Sequence, residues 1–309
     1  MLQEIASALE TIGIRAAYDD NATLTASGDL CGLKVEELAG QNGVRLEVCL
    51  MKNITRNKIA LWNIIHHNNA FLPFGQFYIS PTDEICFGLV LQQPEAFRPW
   101  FPQLVYYLLL VAERYYRMVQ NDFSPQPFQE SEIRMNALNL FRTELVAPEN
   151  PGEDLPADAA AQVLARRAEE MVGENHVIPL SSTEFALTNT DFVVQLSIEQ
   201  MTILRAENTP DSWFIGVKTE VGVMETTNDS LWVQFNRLNR ESTFVGHSIK
   251  YVDRKPMVQL KSALPGLFLN RTEQLAAVVQ AHLTTAPSLF EQLQQPYRIR
   301  NVVNYKLGL

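Results

Sequence analysis

Apolar residues recur at helical spacing over residues 2–14 (Leu2, Ile5, Ala6, Leu9, Ile12), which predicts an amphipathic opening helix. The period then drops to two. Cys31, Leu33 and Val35 alternate with polar neighbours, as do Val44, Leu46, Val48 and Leu50, and the spacing predicts strands with one wet face. Gln41-Asn42-Gly43 supplies the turn between them. Helical spacing returns from about Asn57 to Asn68, with Leu61, Ile64, Ile65 and Asn68 on one side. Asn69 closes this helix, since Asn tolerates the left-handed cap conformation. Phe77 and Ile79 begin a strand, Ser80-Pro81-Thr82-Asp83 turns it, and Ile85, Phe87 and Leu89 return. From about Pro94 a long helix carries Phe97, Trp100, Phe101, Leu104, Tyr107, Leu108, Val111 and Tyr115. The predicted order is α-β-β-β-α-β-β-α.

That order is then repeated. Leu61-Trp62-Asn63-Ile64-Ile65-His66-His67-Asn68-Asn69, followed by Phe74, reappears as Leu231-Trp232-Val233-Gln234-Phe235-Asn236-Arg237-Leu238-Asn239, followed by Phe244. In the second copy Ala160 to Met171 is helical. Phe185 and Leu187, then Val194, Leu196 and Ile198, then Ile203, and finally Trp213, Ile215 and Val217 read as strands. Asp229 caps the helix that holds Trp232. Ile249 and Tyr251 lead into a turn, Val252-Asp253-Arg254-Lys255-Pro256, from which Met257 to Leu260 return. Leu275, Val278, Val279, His282 and Leu283 mark the last helix.

The expected organisation is therefore two tandem α+β domains, residues 1–120 and 157–295, each an antiparallel sheet with helices packed on one side. Residues 121–156 join them. Their flanks, Ser124-Pro125-Gln126-Pro127 and Pro148-Glu149-Asn150-Pro151-Gly152, are linker-like. Ile133, Ala137, Leu140, Phe141 and Leu145 form an apolar stripe on a connecting helix between those flanks, so docked copies are expected. The tail, residues 296–309, reads as a docking strand or a frayed end.

Composition narrows the function classes. A formal net charge of −10 and a pI near 5.1 argue against sequence-independent nucleic-acid binding, which needs a basic footprint, and against anionic membrane surfaces. The longest apolar run, Leu104 to Ala112, falls well short of the roughly 20 residues of a membrane span. The N-terminus lacks a basic segment followed by an apolar one, so a soluble, cytoplasmic protein is expected.

Candidate chemistry is sparse. Dinucleotide, phosphate-loop, zinc-protease and serine-hydrolase motifs do not occur. His66 and His67 are adjacent on a helix, where neighbouring side chains diverge and cannot share one ion. Cys31, Cys49 and Cys86 give neither a disulfide framework nor a CxxC pair and read as buried free thiols, so neither a metal nor a cofactor is expected. An enzyme would have to be built from Cys49 or Cys86 with His66 or His67, and no local feature lowers a thiol pKa. Paired acids such as Asp19-Asp20, Glu36-Glu37 and Glu169-Glu170 read as solvated.

Partner-binding candidates are aromatic and apolar. Trp62 and Trp232 occupy equivalent positions and either anchor a helix on its sheet or contact a partner. On the long helix Trp100 is a candidate, and Tyr106, Leu109 and Leu110 add apolar surface beyond the Leu104/Leu108/Val111 stripe. That second face needs another domain, a second subunit or a client.

The element order, the acidic balance and the segment from Leu61-Trp62-Asn63 through Asn68-Asn69 to Leu72-Pro73-Phe74-Gly75-Gln76-Phe77-Tyr78-Ile79 resemble the YbjN-like family. That family shares its fold with the class I type III secretion chaperones. Asn239 to His247 carries a looser version. The resemblance implies a non-enzymatic, acidic protein, with two copies in one chain suggesting an intramolecular pseudo-dimer. It also implies a polypeptide client held on the sheet and helix surface. A chaperone or adaptor acting through a sheet edge or an apolar groove is the leading expectation. A structural or assembly subunit that forms a homodimer is the alternative, and the thiol enzyme is third.

Overall fold

A computed structural model describes residues 2–11, 16–18, 23–26, 32–38, 43–52, 58–72, 75–92, 108, 126–127, 155–188, 191–200, 213–241, 245–265, 269 and 272–302. The first half contains α1 (Leu2–Thr11), β1 (Ala16–Tyr18), β2 (Thr23–Ala26), β3 (Gly32–Glu37), β4 (Gly43–Lys52), α2 (Lys58–Asn69), β5 (Gln76–Ile79), β6 (Ile85–Gln92) and a short β7 (Gln126–Pro127). The second contains α3 (Ala157–Val172), a 3-10 turn (Glu174–His176), β8 (Val177–Pro179), β9 (Glu184–Leu187) and β10 (Val194–Gln200). It continues with β11 (Trp213–Val223), α4 (Asp229–Glu241), β12 (Gly246–Val252), β13 (Lys255–Pro265) and α5 (Thr272–Tyr297).

Two antiparallel sheets result, and they repeat one topology. The first runs β1-β2-β3-β4-β6-β5, with β7 also paired to β4; the second runs β8-β9-β10-β11-β13-β12. The fold is α+β, with helices packed on the sheets. Four strands precede the central helix in each half, and of these the sequence pattern singled out neither β1 nor β2 in the first nor β8 in the second. Strands β1 and β8 are three residues long, too short for a period of two to register, and β8 ends in a proline.

Strand alternation sorts the side chains as expected. In the first sheet Leu33, Val35, Val44, Leu46, Val48, Leu50, Phe77, Ile79, Ile85, Phe87 and Leu89 point into one apolar cluster. That cluster also takes Leu61 and Ile65 of α2, Leu164 of α3, and Val194, Leu196, Ile215 and Val217 of the second sheet. Each such side chain contributes about 1.5–3 kcal/mol of burial. Leu108, from the expected long helix, is helical and fully buried in this cluster; Trp100, Tyr106, Leu109 and Leu110 lie outside the described residues, as do the connecting-helix stripe and Ile203. A second cluster joins Leu231, Trp232 and Phe235 of α4 to Val258, Leu260, Ala286 and Leu289.

Two local readings change, and the open alternatives for the tail are decided. Asn228, not Asp229, caps α4: its Oδ1 accepts the Leu231 N–H at 3.2 Å. The β12–β13 connection is a two-residue turn in which Asp253 and Arg254 both have positive φ (49° and 65°), the twist that a tight hairpin needs. Lys255 and Pro256 therefore belong to the strand rather than the turn. The tail is docked through residue 302, with Ile299 and Val302 buried and Arg300 exchanging both backbone hydrogen bonds with Val223 (2.9 and 2.8 Å).

Candidate functional site on the outer face of the first central helix

The two halves meet by exchanging their central helices. Helix α2 packs on β12 and on α4, while α4 packs on β5, so each helix covers the outer strand of the other half's sheet. Asparagines make this work. Nδ2 of Asn69 donates to the Phe77 carbonyl (2.9 Å) and its Oδ1 accepts the Phe77 N–H (2.8 Å). Asn239 does the same to His247, at 2.8 and 2.7 Å. Asn236 reaches across the seam to Ile79, accepting its N–H at 2.6 Å and donating to its carbonyl at 2.8 Å. Residues 77 and 79 face outward from the β5–β6 ladder, so the backbone edge there is satisfied by side chains rather than left for another strand. Asn69 thus acts as a clamp on the next strand, where the sequence suggested a left-handed helix cap.

Further contacts hold the seam. The Lys261 ammonium donates to the carbonyls of Ala70 (2.7 Å) and Leu72 (2.8 Å), and Arg45 donates to the Arg240 carbonyl at the C-terminal end of α4 (2.7 Å). Burial pushes the Lys261 ammonium down to about 8, with the positive charges of Lys218 and Lys250 adding to the fall and Glu199 opposing it. His66 occupies the position in α2 that Asn236 holds in α4. Its ring stacks on Trp232 with centroids 5.5 Å apart, and its Nε2 lies 3.3 Å from the Trp232 carbonyl. Burial lowers its pKa to about 4, so the imidazole is neutral. Trp232 is buried, and Trp62 packs against both apolar clusters. Both tryptophans thus tie the halves together.

The expected sheet-edge mode finds little room at three of the four edges. Both β5 and β12 are covered by the opposite helix. On β8 the outward positions are Val177, whose N–H bonds to Glu174, and Pro179, which has none, so no outward donor remains. Only β1, three residues long, stands at the fourth.

The outer face of α2 is different. Ile59, Asn63 and His67 follow at four-residue intervals, and Phe71 in the turn beyond continues the stripe. Phe71 is 62% exposed, Ile59 46% and the neighbouring Tyr251 45%. The His67 ring lies edge-on to Phe71 with centroids 5.0 Å apart and is 6.4 Å from the Tyr251 ring, whose hydroxyl donates to Asn63 at 3.5 Å. The equivalent stripe on α4 runs Asp229, Val233, Arg237, Glu241, and its last two members form an ion pair at 4.0 Å. One half presents an aromatic strip and the other a charged one. None of Ile59, Asn63, His67, Phe71 or Tyr251 was singled out by sequence pattern as a binding residue. The available signal was an isoleucine and a phenylalanine at i, i+12 on the flank opposite Leu61 and Ile65.

The Cys–His pairing required for a thiol enzyme is not assembled. Cys49 and Cys86 point to the face of the first sheet opposite its apolar core, whereas α2 and His66 lie on the core side. Among the described residues, no helix is long and apolar enough to cross a membrane. No family model, no curated protein and no solved structure matches this chain.

Proposed function

We propose that this protein is a non-enzymatic polypeptide-binding protein, acting as a chaperone, adaptor or regulator, and that it holds an extended client segment along α2. The observation that carries this reading is the exposed strip Ile59–Asn63–His67–Phe71 with Tyr251 beside it. Twelve residues of helical rise make the strip about 18 Å long, which matches about five residues of extended chain. Aromatic rings supply contact area at low side-chain entropy cost. Asn63, His67 and the Tyr251 hydroxyl give the strip polar groups that can engage a client backbone. The clamped outer strands favour this surface mode over strand addition. The charged stripe on α4 favours binding by the first half.

The test uses the full-length protein, captured from its native cytosol after mild crosslinking, beside a Phe71→Ala/Tyr251→Ala variant that folds normally by circular dichroism. A polypeptide recovered with wild type and lost with the variant supports the proposal. An identical set of recovered proteins from both would sink it. A wild-type homodimer that the same substitutions convert to monomer, with no other polypeptide recovered, would favour the assembly-subunit reading.

A further inference from the structure

On the face of the first sheet that turns away from its apolar core, three ligand-type side chains converge. Glu47 and Cys49 are two apart on β4 and so project to the same side. Cys86 on β6 is the direct antiparallel partner of Cys49. The two Sγ atoms are 3.4 Å apart, and Cys49 Sγ lies 3.7 Å from Glu47 Oε1. One donor atom from each residue falls within 4.8 Å of the others. A tetrahedral zinc ion, with metal–sulfur distances of about 2.3 Å and metal–oxygen distances of about 2.0–2.2 Å, sets its ligand atoms roughly 3.5–3.8 Å apart. The three groups are thus near coordination spacing before any ion arrives. The Tyr78 hydroxyl donates to the second oxygen of Glu47, the kind of outer contact that orients a ligating carboxylate.

The charge balance points the same way. Both cysteines are buried, and Glu47 is partly buried. Lys34 and Arg45 set positive charge near Glu47, but Lys34 donates to Glu36 at 3.4 Å and Arg45 to the Arg240 carbonyl at 2.7 Å. Three potential anions held this close repel one another unless protonated or bridged by a cation.

We propose that Glu47, Cys49 and Cys86 form a binding site for a thiophilic divalent metal ion of the zinc class, leaving a fourth coordination position open. Binding exchanges protons for metal: the ion takes the two thiolates and the carboxylate, and the two thiol protons go to solvent. The site uses no residue of the proposed client surface and stands independently of it.

The test is titration of reduced, metal-free full-length protein with Co²⁺, followed by displacement with Zn²⁺. The expected result is one Co²⁺ per chain with thiolate-to-cobalt charge-transfer absorption and tetrahedral ligand-field bands. Two protons should be released per ion, and Zn²⁺ should displace the cobalt. Cys49→Ser and Cys86→Ser should each abolish the charge-transfer signature of a two-thiolate site. Tyr78→Phe should weaken affinity by about 10–100-fold while keeping the spectrum. Cys31→Ser should bind as wild type. A featureless titration of the reduced protein would overturn the proposal, as would a spectrum unchanged by Cys86→Ser or one lost equally in Cys31→Ser. Circular dichroism of each variant separates lost binding from lost folding.

Discussion

Replacing Asn239 with alanine removes one side chain and strands two backbone groups. Its amide holds both the N–H and the carbonyl of His247 at 2.7 and 2.8 Å, at a residue only 3% exposed. These two groups face outward from the β12–β13 ladder toward packed helices, where water cannot replace the lost partner. An orphaned buried polar group costs about 1–3 kcal/mol, so the pair should cost about 4 kcal/mol. That is a large share of the roughly 5–15 kcal/mol by which a domain is usually stable. Urea unfolding at pH 7, followed by far-UV circular dichroism, should show the midpoint falling with little change in slope. Asn69→Ala, the same clamp on Phe77, should behave alike. Asn239→Asp should be no milder than alanine, since it keeps the acceptor but sets a carboxylate against the His247 carbonyl. Gln234→Ala, on the exposed side of α4, is the control and should stay within about 0.5 kcal/mol. An Asn239→Ala loss under about 1 kcal/mol, or one equal to the control, would refute the clamp as a source of stability.

Acid should unfold the protein through its buried histidines. Burial holds His66 and His247 down to about 4 and His282, between Thr219 and Ser262, down to about 3, all from an ordinary 6.5. The unfolded chain therefore binds more protons between those values. Stability is complete above about pH 6.5 and falls with pH below it, by about 2 kcal/mol per imidazole between pH 7 and 5; a urea midpoint that stays level over that range would contradict this. Gly246→Ala places a methyl 1.9 Å from Gln76 Nε2 and should cost about 1–3 kcal/mol, and Gln76→Ala should recover most of it in a double-mutant cycle. Additive losses in that cycle would show that the clash is relieved elsewhere. Lys261→Met removes the donors to the Ala70 and Leu72 carbonyls and should cost about 2 kcal/mol in thermal or urea unfolding. An unchanged midpoint would mean those carbonyls find water.

Much of the fold was legible along the chain. Period-two alternation marked β3, β4, β6, β10 and β11, because alternate residues along each point into one apolar cluster. The recurrence of Leu-Trp and Asn at matching places located α2 and α4, and the repeated strand order of the two sheets follows the repeated pattern. Short strands escaped notice, since three residues cannot display a period. The role of Asn69 and Asn239 escaped too: the residue type was visible twice, but its partner lies eight residues on and meets it only after the chain folds back.

The aromatic strip and the thiol–carboxylate cluster depended on tertiary structure for different reasons. A helical wheel places Ile59, Asn63 and His67 on one side of α2, but only packing decides that this side stays open and that Tyr251, from the other half, stands beside it. Cys49 and Cys86 are 37 residues apart, and no spacing rule links them; the β4–β6 register makes them direct partners and puts Glu47 on the same face. By itself the sequence determined the local elements and their duplication, because backbone preference and burial period act over a few residues. Which outer strands are capped, which helix face is left to solvent and which side chains meet across the sheet were decided by long-range register and helix exchange. The strand register forms as each sheet closes, and the helix exchange exists only once both halves have met.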